Sequence, residues 1–189
     1  MKWSSQTGDG VVGESAASST NYLVPDLLVP GLRLVFCGTA PSTKSAAEKS
    51  YYAKPGNRFW PTLHQTGITP RRFLPSEYPQ LLDLGIGLTD LCKVHCGTDA
   101  QLPDNAFDAD AFLAKIEHYQ PKIVAFTSKN AGREVLNRHP DYGLQPERIG
   151  SNSTTRLFVL PSPSGLATKF FDIRVWQLLA DTIAEKSGG

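Results

Sequence analysis

Two short runs, Leu32–Cys37 and Lys122–Thr127, limit the fold more than anything else in the sequence, because each is apolar almost throughout. Neither alternates polar with apolar residues, so each reads as a strand covered on both faces, the kind found in parallel sheets. Parallel strands need crossover connections, and helical patterns stand where the crossovers belong. Asn57–Gly67 carries Phe59, Trp60 and Leu63 at one-face spacing, with Gly67 as its stop. Asp108 caps a helix through Tyr119 with Phe112, Leu113 and Ile116 as its stripe, and Pro121 closes it. Ser128-Lys129-Asn130 opens a helix to Arg138, and Asp172–Glu185 puts Ile173, Trp176, Leu179, Ala180 and Ile183 on one face. Leu81–Leu84 reads as a helix end passing into a second strand that stops at Asp90, and Arg156–Leu160 is the fourth strand. The expected fold is α/β, a three-layer α/β/α sandwich around a central, mainly parallel four-stranded sheet.

Such sheets place ligands beyond the carboxyl ends of their strands. The first strand ends there in a tight, small-residue turn, Gly38-Thr39-Ala40-Pro41-Ser42, where backbone N–H groups and hydroxyls can approach a ligand unobstructed. Tyr51 and Tyr52 follow closely enough to fold back and offer a ring face. Asp90, at a strand's carboxyl end, is an acid candidate, with capping of the next turn as the plain alternative. Ser128 and Lys129, at a helix start, suit a phosphate, although Ser128 serves equally well as a simple cap.

Two motifs then carry a resemblance. Gly38-Thr39-Ala40-Pro41-Ser42 followed by Tyr51-Tyr52-Ala53-Lys54-Pro55-Gly56-Asn57-Arg58-Phe59-Trp60, together with Leu160-Pro161-Ser162-Pro163-Ser164-Gly165-Leu166, resembles the mismatch-specific uracil/thymine-DNA glycosylase group of the uracil-DNA glycosylase superfamily. The resemblance implies hydrolysis of the N-glycosidic bond of a deaminated base in DNA, uracil first and hypoxanthine second, after extrusion from the stack. It implies Tyr52 stacking on the base, with Gly38, Ala40, Pro41 and Ser42 lining its pocket. Leu166 becomes the wedge, while Ser162, Ser164 and Gly165 follow the strand. Three positions depart from the group: Ser162 stands where it has an Asn, Thr168 where an Arg reaches the opposite base, and Ala40 where it has a water-positioning Asn. A second branch, the hypoxanthine-DNA glycosylases, is similar in lacking that Asn. By that likeness the catalytic role passes to Asn57, with Asp90 and Thr39 as alternative water-orienting groups; capping is the structural alternative for Asn57.

Composition sets bounds on these readings. Lys and Arg number 19 against 18 Asp and Glu, so any hold on DNA comes from local clusters, not a global field. The chain suits one core: residues 1–22 read as a flexible Ser/Gly-rich tail and 23–189 as one domain, expected to be monomeric. No membrane span or signal peptide is evident, and with three cysteines the expectation is a cytoplasmic protein without disulfides. No metal or organic cofactor is expected; Cys92-Lys-Val-His-Cys96 offers too few ligands. Two other readings stand beside the enzyme: a uracil-DNA binding protein of the same fold with weak or no turnover, and an unrelated hydrolase using Ser162 or Ser164. The second lacks a G-x-S-x-G elbow.

Overall fold

The computed structural model describes residues 21–185. Five strands form one sheet in the order β2-β1-β3-β5-β4. β1 (Leu34–Gly38), β2 (Ile86–Asp90), β3 (Ile123–Phe126) and β5 (Thr155–Val159) are mutually parallel, and β4 (Gly143–Ile149) joins the β5 edge antiparallel. The expected four-stranded sheet is thus extended by one strand. β4 contains Pro146 and its pairing slips between Leu144 and Arg148. Proline cannot donate to a ladder and is confined to edges and bulges, so its presence argues against a strand until the partner is seen.

The parallel strands send alternate side chains to opposite faces, and the helices divide accordingly. Leu34, Phe36, Ala125 and Phe158 pack with Phe59, Trp60 and Leu63 of α2 (Phe59–Gln65) and with Trp176, Leu179 and Ile183 of α5 (Ile173–Ala184). Val35, Cys37, Val124, Phe126 and Val159 pack with Phe112 and Ile116 of α3 (Ala109–Tyr119) and Ala131 of α4 (Lys129–Leu136). Three layers result, as expected. Leu113 and Ile173, assigned to buried stripes, lie at helix edges, 36% and 39% exposed.

Local chemistry explains the helix ends. Asp108 and Ser128 accept the N–H groups of Ala111 and Ala131, satisfying first-turn donors that have no partner within the helix. α2 begins two residues later than expected, because Asn57 Oδ1 accepts the Phe59 N–H at 2.9 Å and closes a turn ahead of it. A further short helix, α1 (Thr43–Glu48), is capped by Ser42. The stretch leading into β2 is 3-10 helix over Pro75–Leu84.

Of the expected tail, residues 1–20 lie outside the described part. Tyr22, also assigned to it, is packed: the ammonium groups of Lys93 and Lys115 lie 5.3 and 4.6 Å from its ring centroid. Among the described residues no helix is long and apolar enough to cross a membrane.

Candidate active site

The chain reverses direction of travel across the sheet at β1, whose neighbours are β2 on one side and β3 on the other. Ligands in open α/β sheets bind outside the carboxyl ends at such a point. A pocket of about 880 Å³ opens there, lined by Gly38–Ser42, Tyr52, Asn57, Asp90, Asp99, Thr127, Ser128, Ser162, Ser164 and Leu166 among others. The β1 exit and the loop after β5 therefore share one rim and one cavity.

The floor is Gly38. A Cβ at this position would lie 2.6 Å from Asp90 Oδ1, 3.5 Å from the Tyr52 hydroxyl and 3.6 Å from Thr127 Oγ1, so only glycine lets the three polar groups converge. Asp90 is 4% exposed, and its Oδ2 has no hydrogen-bond partner, Lys93 Nζ standing 3.9 Å away. Burial pushes its pKa up to about 6 against the pull of Lys93, with Asp26 adding to the rise. Behind it, Lys93 contacts Asp26 at 2.8 Å and donates to the Tyr51 hydroxyl at 3.0 Å, while Lys115 contacts Asp26 at 2.7 Å. Although burial disfavours its charge, Asp26 is held below the usual carboxylate range by Lys93 and Lys115.

Tyr52 forms a wall. One face of its ring stacks on Phe59, with centroids 3.8 Å apart and planes at 17°, so a ligand can use only the other face. Its hydroxyl lies 3.1 Å from Thr127 Oγ1, and burial, with Asp90 next, holds its pKa well above the ordinary tyrosine value. The backbone is left-handed here, at φ +52°, a conformation that costs a bulky residue on the order of 1–3 kcal/mol and is kept where the surroundings fix it. Phe59 and Trp60 are core residues, and the Trp60 indole ties the segment down by donating to Tyr51 O.

The loop after β2 is strapped along the β1 exit. Leu91, Cys92 and Gly97 donate N–H groups to the carbonyls of Gly38, Thr39 and Pro41 at 3.0, 2.8 and 3.0 Å. Those three carbonyls are thereby satisfied within the protein. The same strap delivers Asp99, which sequence reasoning passed over. Its Oδ1 accepts from Thr39 Oγ1 at 2.6 Å and its Oδ2 from Asn130 Nδ2 at 2.7 Å. The Thr39 hydroxyl is thus committed to a carboxylate one residue from Ala40. The available signal was an acid in a loop leaving a strand at its carboxyl end.

Asn57 lines the pocket, with one lone pair of its Oδ1 taken by the Phe59 N–H and its NH₂ group without a protein partner among the described residues. Ser162 and Ser164 accept the N–H groups of Ser164 and Leu166, at 3.3 and 3.2 Å, which shapes the loop and leaves each O–H to donate outward. Gly165 packs on the Pro-Gly-Asn-Arg corner, where a Cβ would meet Gly56 O at 3.2 Å, and Arg58 N–H donates to Pro163 O at 2.8 Å. Leu166 projects from this clamped loop, 71% exposed. Ser128 lines the pocket, with its hydroxyl oxygen capping α4. Lys129 points elsewhere, 3.8 Å from Asp141 and 4.5 Å from the Tyr142 ring centroid. No histidine lines this pocket, so Ser162 and Ser164 have no imidazole base in it. Among the described residues no group of three or more His, Cys, Asp or Glu is placed to hold a metal ion.

The Uracil DNA glycosylase superfamily model matches residues 25–181, most of the chain and both sides of this pocket. The chain belongs to the uracil DNA glycosylase superfamily. Membership places it among the DNA glycosylases, hydrolases of DNA repair, and makes DNA its ligand class. The solution NMR structure of a Methanosarcina acetivorans protein, described as a candidate uracil DNA glycosylase, is similar at 22% identity and a TM-score of 0.61. That alignment covers 85% of this chain and 96% of the archaeal one, showing that the two share a fold.

Proposed function

We propose that the protein is a monofunctional glycosylase that hydrolyses the bond between uracil and deoxyribose in DNA, with hypoxanthine as the second base the pocket accepts. The observation that carries this reading is the meeting, in one cavity, of a small-residue turn, a free tyrosine face and two carboxylates beneath an exposed leucine finger. Leu166 occupies the gap left by the extruded nucleotide, offsetting part of an unstacking cost of a few kcal/mol. The base lies against the free face of Tyr52, and the N–H groups of the Gly38–Ala40 turn face its edge. As the glycosidic bond breaks, the base leaves as an anion that those donors stabilise, while the sugar gains oxocarbenium character that a nearby carboxylate stabilises.

Asp99 is the group we assign to the water. Ala40 has no side-chain function, and the Asn57 side chain is an uncharged amide, too weak a base to take a proton. Asp99 is anchored through both oxygens by neutral donors, which keeps it oriented and leaves lone pairs for a water beside Ala40. Asp90, deeper and without a hydrogen-bond partner at Oδ2, supports the positive charge that develops on the sugar. Ala40 also gives the alternative reading, a uracil-DNA binding protein with weak or no turnover, its one favourable observation. Incubation with a uracil-containing oligonucleotide separates the two by the appearance of free base. In Asp99→Asn, release is expected to fall by roughly 10²- to 10⁴-fold, the usual range for losing a general base, with binding retained. Unchanged release would take Asp99 out of the mechanism; binding by the unaltered protein without release would favour the alternative.

A further inference from the structure

The proposed glycosylase reading accounts for Leu166 but leaves a second exposed apolar side chain on the same turn without a role. Phe170 is 68% exposed, and with Leu166 at 71% it is one of the two most exposed large apolar residues in the described part of the chain. Both belong to the 3-10 turn Gly165–Phe170 and both line the mouth of the pocket. A solvent-facing phenylalanine at a site mouth is unusual enough to ask what covers it.

The turn holding it is well fixed. Arg58 donates to Thr168 Oγ1 at 3.2 Å, Thr168 Oγ1 donates to Gly165 O at 2.8 Å, and Ala167 N–H donates to Ser164 O at 3.0 Å. The adjacent Phe171 turns inward instead, 6.5 Å from Trp176 between ring centroids and 5.1 Å from the Arg58 guanidinium. Phe170 therefore stays outside while its neighbour supplies the packing. Its setting suits a polyanion: Lys169 precedes it, Lys54 lines the same pocket, and residues 160–171 contain no acid; Lys44, also at the pocket, is paired with Glu48 at 2.6 Å.

Position selects the occupant. Leu166 and Phe170 sit on one short turn, kinked at Ala167, and both line one pocket. Bases on a strand are spaced about 3.4 Å apart, so with Leu166 in the vacated position the apolar partner offered to the Phe170 ring is the face of a neighbouring base. Because Phe170 borders the pocket that receives the extruded base, that neighbour belongs to the strand carrying the lesion.

We infer that Phe170 stacks on the lesion-strand base next to the extruded nucleotide, a contact that needs no complementary strand and equips the enzyme to act on single-stranded DNA. This inference rests on the glycosylase reading. Its test compares the full-length protein with Phe170→Ala and Phe170→Trp on matched single-stranded and duplex uracil oligonucleotides. The single strand carries 2-aminopurine beside the uracil, and the duplex carries it either beside the uracil or on the opposite strand. Phe170→Ala is expected to lower kcat/KM roughly tenfold on both substrates, as loss of one base stack does. Phe170→Trp is expected to restore it, and fluorescence of the flanking 2-aminopurine is to be quenched by the protein but not by the Ala variant. Thermal unfolding is expected to be unchanged, since the side chain is mostly in solvent. A loss confined to duplex, quenching only from the opposite strand, or no loss on either substrate overturns the inference. If the unaltered protein neither binds nor cleaves any of these oligonucleotides, it is the glycosylase reading that fails.

Discussion

Replacing Asp90 with asparagine should make the protein more stable and less active, with a pH dependence that identifies the cause. The buried carboxyl titrates at about 6 in the fold against an ordinary value of 3.8. The fold therefore binds this proton more tightly than the unfolded chain does, so stability falls as pH rises from about 4 to about 6 and levels off above that. The difference between 3.8 and about 6 corresponds to about 3 kcal/mol at neutral pH. That figure already includes the attraction of Lys93 and the opposition of Asp26, the charged groups packed nearest. A side-chain amide in its place would keep the shape of the neutral acid without the charging cost. Asp90→Asn should thus gain up to about 3 kcal/mol at pH 7.5 and nothing near pH 4. For a chain of this size, that is a rise in Tm of about 6–12 °C at the higher pH. Urea unfolding at a series of pH values, on both proteins, measures it. Parallel stability curves from pH 4 to 8, or a variant weaker at pH 7.5, would refute the reasoning. Base release should move the other way, falling because the carboxylate near the sugar is gone.

Gly38→Ala should be destabilised by about 1–3 kcal/mol and lose base release, because its Cβ would meet Asp90 Oδ1 at 2.6 Å; a fully active, stable variant would show that the carboxylate moves aside freely. Leu166→Ala should slow release from duplex more than from single strands, with equal slowing on both arguing against a wedge. Asn57→Ala should lower melting temperature along with activity, because it removes the cap on the Phe59 N–H, a loss of about 1 kcal/mol; a fall in turnover with no change in stability would give Asn57 a chemical role instead.

The sheet and the two loops that line the pocket were legible in the sequence because their signals are local. Apolar runs report burial on two faces, and Gly38-Thr39-Ala40-Pro41-Ser42 reports a turn with no bulky side chain. β4 was hidden by Pro146, which a strand tolerates only at an edge, and an edge is defined by its neighbour rather than by its own residues. Asp99 was hidden for a related reason. Its partners are Thr39, 60 positions earlier, and Asn130, 31 later, so nothing near it in the chain marks it as different from any solvated acid. Lys129 shows the reverse, a basic residue at a helix start that looked suited to phosphate but stands over Tyr142 beside Asp141.

The clamp between Gly165 and Gly56, reinforced by Arg58 and Pro163, joins segments more than a hundred positions apart in the chain. The leucine-tipped loop, the blade proposed to part the strands, and the corner that borders the pocket are consequently held together as one unit. Anyone redesigning this protein to take a larger lesion cannot widen the corner alone, because the blade would shift with it. A successful redesign has to exchange both segments together, as a matched pair.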